Sequence, residues 1–172
     1  MKRRTFLSTT GASTFLLGGC VSKAQLGNSP NDCLVTDAMS FTAETDEFVI
    51  VTGDNSVETL RFTLTNRTTC SVSIAPATWR IERNTSDGWR PVVSGDKNKE
   101  QRTLSRGESH NWSLSRSPHP TPRTDTTTFV VADLSEGTYA FIVTAAVGQD
   151  NPITRRATFS LQTRTSTQTP TQ

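Results

Sequence analysis

The stretch Thr138 to Val147 (TYAFIVTAAV) constrains the fold more than any other part of this chain. In an extended conformation Tyr139, Phe141, Val143, Ala145 and Val147 fall on one side, while Ala140, Ile142 and Ala146 make the other side apolar too. A period of two with both sides apolar predicts a strand covered on both faces, and therefore a central one.

Everything around it follows the same period. Glu47 to Val51 predicts a first strand, closed by the turn-rich Gly53–Ser56. Leu60, Phe62 and Leu64 alternate with Arg61, Thr63 and Thr65, a strand with one buried and one wet face. Val72 and Ile74 fall on even positions but Trp79 and Ile81 on odd ones, so the intervening Pro76-Ala77 predicts a bulge or a break. Asn84 to Gly88 reads as a hairpin loop and Trp89 to Val93 as the return strand. After a polar loop over Ser94 to Gln101 and a turn at Ser105–Glu108, His110, Trp112 and Leu114 alternate with Ser109, Asn111 and Ser113. Arg116 to Thr128, with Pro118, Pro120 and Pro122, reads as an exposed loop. Phe129–Val131 resumes the sheet, and Ala157, Phe159 and Leu161 mark the last strand. No stretch keeps a helical period. Seven or eight short strands at this spacing predict an all-β, antiparallel sandwich over residues 32–163, with a Thr/Gln-rich tail over 164–172.

The first 20 residues have a different character. Lys2-Arg3-Arg4 is a basic start, Phe15-Leu16-Leu17 a short apolar run, and Gly18-Gly19-Cys20 a small-residue end. This is the layout of an export signal, and its apolar part is far short of the ~20 residues of a membrane span. Arg3-Arg4-Thr5-Phe6-Leu7 resembles the twin-arginine export motif, and Leu17-Gly18-Gly19-Cys20 resembles a lipobox. The resemblance implies that Arg3 and Arg4 direct export and that Cys20 carries a lipid. Residues 21–31 then read as a flexible tether. The expected location is the cell membrane, lipid-anchored and facing outside. Combined with heavy use of Thr and of Arg over Lys, these features resemble haloarchaeal surface lipoproteins.

Three of the 18 basic residues lie before Cys20, which leaves 15 against 16 acidic ones. So even a balance argues against nucleic acid as a partner. With Cys20 assigned to the anchor, Cys33 and Cys70 remain, and an oxidising exterior makes such a pair a disulfide. Closing that loop would stabilise the fold by about 4 kcal/mol.

Leu134-Ser135-Glu136-Gly137-Thr138-Tyr139 resembles the tyrosine corner of immunoglobulin-like domains, with Tyr139 bonding back to the backbone. Asn66-Arg67-Thr68, Trp79, Asp87-Gly88-Trp89, Gly107-Glu108 and Gly137-Thr138-Tyr139 together resemble bacterial immunoglobulin-like modules of exported lipoproteins. The domain of the intracellular proteinase inhibitor of bacilli is similar in the same features. The resemblance implies an immunoglobulin-like sandwich, and fold alone does not carry function across such families.

The residues offer little chemistry. The two histidines are His110, in phase with Trp112 and Leu114 and so expected to pack, and His119, between prolines. There is no nucleophile elbow and no phosphate loop, so no catalytic residue and no cofactor are assigned. His110, His119, Cys70 and Met39 are the residue types of a blue-copper site, but the sequence lacks the close Cys–His spacing of one loop. Glycosylation acceptors are Asn84, Asn66 and Asn111. Trp89, just past a hairpin tip, is a candidate for recognition. The expected function is a non-enzymatic, lipid-anchored module that binds another envelope protein. The alternative is a proteinase inhibitor presenting Pro118 to Pro122, and a copper or redox carrier ranks third.

Overall fold

Because both sides of Thr138–Val147 are apolar, this strand needs cover twice over, and the fold supplies it. The computed structural model describes residues 39–52, 57–96, 100–118, 124–147 and 151–165. The strands are β1 (Met39–Ala43), β2 (Glu47–Thr52), β3 (Thr59–Asn66), β4 (Val72–Thr85), β5 (Gly88–Ser94), β6 (Arg102–Leu104), β7 (Ser109–Ser115), β8 (Thr127–Val131), β9 (Gly137–Val147) and β10 (Asn151–Thr165). No helix occurs among the described residues. One sheet has the order β1-β3-β7-β8; the other has β2-β10-β9-β4-β5, with β6 attached to β4.

The inner face of β9 meets the opposite sheet. Phe141 stacks on Phe62 of β3 with centroids 4.4 Å apart and also touches Phe41, Trp79 and Trp112. Its outer face is covered without a third layer. Arg80 of β4 and Arg156 of β10 stand opposite Ile142, and Glu82 stands opposite Ala140. The Glu82 carboxylate accepts Arg80 Nε and Arg156 Nη2, each at 2.8 Å, and the Arg156 guanidinium lies 4.8 Å from the Trp89 ring centroid. The arginine stems thus shield apolar surface while their heads stay wet, and Ala140 and Ile142 are buried.

The expected β-sandwich forms, with corrections. There are ten strands among the described residues, not seven or eight, and the sheets are mixed: β10 pairs with β2, and β7 with β8, in parallel. At its start the chain is split between the sheets: β1 lies antiparallel to β3, and β2, after a short crossing, lies along β10. Met39 and Phe41 do alternate inward in β1, but two apolar residues in five give too weak a period to read. β8 is parallel because the long connection after β7 returns the chain to the end where it began. Thr127 and Thr128, expected in that loop, open β8. β10 runs past 163, with Arg164 and Thr165 beside Val51 and Thr52.

Two local expectations hold. The register of β4 against β9 shifts between Ile74 and Trp79, so Pro76-Ala77 lie in a bulge, and the freed Pro76 carbonyl accepts the buried Trp112 indole at 2.8 Å. At the tyrosine corner, Tyr139 Oη donates to the Ser135 carbonyl at 2.7 Å and the ring stacks on Phe159. Gly137 there has φ +152°, and an added Cβ would sit 3.1 Å from Arg83 Nε, so the corner needs glycine.

Candidate functional site

The bulge that takes Pro76 and Ala77 out of pairing also opens the edge of the sandwich. A cleft of about 740 Å³ lies there. Pro76, Ala77, Trp79 and Gly95 line one side, Arg102 comes from β6, and His110, Thr128 and Phe129 come from β7 and β8. Its volume is that of small-molecule sites. Gly95 is what lets the chain pass so close: its N–H donates to the Trp79 carbonyl at 2.8 Å, and an added Cβ would lie 2.2 Å from the Ala77 carbonyl oxygen.

His110 is the chemical centre of this cleft. It is 2% exposed, and its ring sits edge-on to Trp112 with centroids 4.7 Å apart. Nε2 lies 2.9 Å from Thr128 Oγ1, whereas Nδ1 is buried without a partner. Burial, and then the Arg102 charge, push the imidazole down to about 4. Arg102 donates through Nη1 to the Asp125 carbonyl, and its Nε is the second buried nitrogen with no partner. Buried polar groups are ordinarily bonded, so two cleft residues that each hold an orphan nitrogen mark it out. The period of two found His110 as a packing residue. Arg102 was missed, because it falls between the polar loop that ends at Gln101 and the turn that follows, where no pattern marks it.

The residues singled out by sequence fare differently. Met39 is a core residue of β1, not a surface ligand, and the described residues hold no group of three His, Cys, Asp or Glu able to bind a metal. Cys70 packs half-buried against the core after β3. Asn66 is fully buried: Nδ2 donates to the carbonyls of Cys70 and Leu104 at 2.8 and 2.9 Å, and Oδ1 accepts Thr68 N–H at 2.8 Å. The Asn-x-Thr sequence is therefore a turn device in the folded domain, with no exposed amide. Asn111 lies on the outer face of its sheet, where Oδ1 accepts Thr63 Oγ1 at 2.9 Å. Asn84 is exposed, at the end of β4 and not in the hairpin turn, which is Ser86-Asp87. Trp89 is half-buried under Arg156. Pro118 is exposed. Arg3, Arg4, Cys20, Cys33, His119, Pro120 and Pro122 lie outside the described residues.

No known family profile matches this sequence, and no curated protein is similar to it. Solved structures are similar to it only distantly. The ApaA protein from Bordetella pertussis is 16% identical over 73% of this chain and 93% of its own, with a TM-score of 0.42. The periplasmic chaperone SfaE is 11% identical over 73% of this chain and 58% of its own, at 0.39. The sporulation control protein Spo0M from Bacillus subtilis is 11% identical over 72% of this chain and 48% of its own, at 0.34.

Proposed function

We propose that this chain is a lipid-anchored, non-catalytic binding or accessory module on the outer face of the cell membrane. The observation that carries the reading is a preformed cleft at the edge of a packed sandwich, in a chain that carries Arg3-Arg4 and a Leu17–Cys20 lipobox-like sequence. Binding sites commonly sit on such edges and loops, held by a rigid scaffold. Catalysis is disfavoured by the His110 environment. Its hydroxyl partner, Thr128, has the makings of a nucleophile–base pair, but a ring nitrogen without a carboxylate and a depressed basicity make a poor general base at neutral pH.

Membrane fractionation tests the anchor. Cys20→Ser should release the protein into soluble fractions, and unchanged membrane association would overturn the reading. Replacing Arg3 and Arg4 with Lys should block export if the twin-arginine route carries it.

A Cys33–Cys70 bridge belongs to the same proposal. Its support is that an oxidising exterior pairs the two cysteines left once Cys20 is assigned to the anchor. Peptide mapping of non-reduced protein should find Cys33 and Cys70 in one linked fragment. A Cys20–Cys70 fragment would overturn both the pairing and the lipid assignment. Inhibition of a protease rests on the segment around Pro118, and a panel of extracellular proteases is its test.

A further inference from the structure

We propose that the cleft between β6, β7 and β8 binds a small zwitterion of the amino-acid class, carboxylate inward toward Arg102 and His110 and cationic nitrogen outward toward Asp96 and Asp125. This goes beyond the surface-module reading, which leaves the ligand open.

The inner end asks for an acceptor. Arg102 Nε–H can only donate, and it is buried without a partner. The Thr128 hydroxyl can rotate to donate to His110 Nε2, which places the imidazole proton on Nδ1, the second unpartnered nitrogen. Two donors, one of them permanently charged, favour an oxyanion over a neutral carbonyl. Arg102 is held in place through its Nη1 bond to the Asp125 carbonyl, so little ordering is needed when a ligand arrives.

The outer end asks for the opposite charge. The acidic residues lining the cleft are Asp96, Glu100 and Asp125, and the described lining has one guanidinium. Asp96 and Asp125 are exposed, so their charges act at the mouth. A simple carboxylate would satisfy the interior and be repelled at the rim; a simple amine would do the reverse. A zwitterion meets both. Trp79 and Phe129 provide the apolar walls, and Gly95 keeps the space open.

Calorimetric titration of the full chain in detergent with each of the twenty common amino acids tests the idea, with tryptophan fluorescence as a second readout. At least one should saturate with a Kd below about 1 mM. Its analogues lacking the ammonium or the carboxylate should each bind at least about tenfold more weakly, the loss expected for one charged hydrogen bond. Arg102→Met should weaken binding by about tenfold or more, Arg102→Lys by less, and Asp125→Asn by about threefold. The proposal is overturned if no amino acid saturates up to about 10 mM, or if either analogue binds as well as its parent. It is overturned equally if Arg102→Met, folded with an unchanged Tm, binds like the natural protein. Membrane association is unaffected by any of these variants, so failure here leaves the anchor reading standing.

Discussion

Tyr139 and His110 are both buried polar rings packed against aromatic neighbours, and the protein treats them in opposite ways. Tyr139 is 1% exposed, stacks on Phe159, and has its hydroxyl fully used by the Ser135 carbonyl. His110 is 2% exposed, meets Trp112 edge-on, and has one nitrogen bonded and one orphaned. A satisfied buried polar group fixes a turn and contributes to stability. An unsatisfied one costs stability and is tolerated where something else uses it. The contrast separates the part of the domain built to hold from the part able to bind.

The scale for that contrast is set by Phe141, which shares β9 with Tyr139 and meets Trp112 of β7, the strand of His110. Phe141→Ala removes a fully buried ring in contact with Phe62, Trp79 and Trp112, and should cost about 3–5 kcal/mol in urea unfolding. A neutral result would mean that β9 is not the central strand.

Acid comes next. The folded pKa of His110 is depressed, from 6.5 to about 4, so the unfolded chain binds the proton more readily. Its contribution to stability is complete above pH 6.5 and falls away as pH drops toward about 4, by up to about 3 kcal/mol. Unfolding measured at pH 7 and pH 4 should show this loss on top of the carboxylate contribution, and His110→Gln should remove that share. An identical pH profile for His110→Gln would break the contrast with Tyr139.

Tyr139→Phe keeps the ring and deletes the hydroxyl, leaving the Ser135 carbonyl without its donor. About 1–2 kcal/mol should be lost, with no change in the pH profile. A neutral variant would reduce the corner to packing alone. Smallest of all is Thr144→Ala, where an exposed hydroxyl 3.5 Å from Thr154 Oγ1 is removed, at a cost under about 0.5 kcal/mol. A larger loss would show that the outer face of β9 is more tightly organised than its exposure indicates.

Local patterns carried a good part of the fold. The two-sided apolar run of β9 required a central place in a sheet, the phase change at Pro76-Ala77 required a bulge or a break, and Leu134–Tyr139 was legible by its resemblance to a tyrosine corner, because each depends on neighbours in sequence. The same logic placed Trp112 and Leu114 inside and made His110 a half-buried packing residue. What lay beyond it was pairing between distant segments. Whether β2 joins β10 or β3, and whether β8 enters beside β7 in parallel, depends on loop paths that no alternation records. Asn66 read as a glycosylation acceptor because Asn-x-Thr is a local motif; that its amide is spent on Cys70 and Leu104 is a fact of three segments meeting. Arg102 and His110 are eight positions apart on different strands of different sheets. The turn at Ser105–Glu108, the bulge in β4 and the close pass of Gly95 bring both residues to one cleft. Sequence alone therefore determined which face of each regular strand is inside and that the strands form a β-sandwich, since burial there follows the chain's own period. Tertiary structure alone decided which polar groups inside are left wanting, since a partner's absence is a property of everything packed around it.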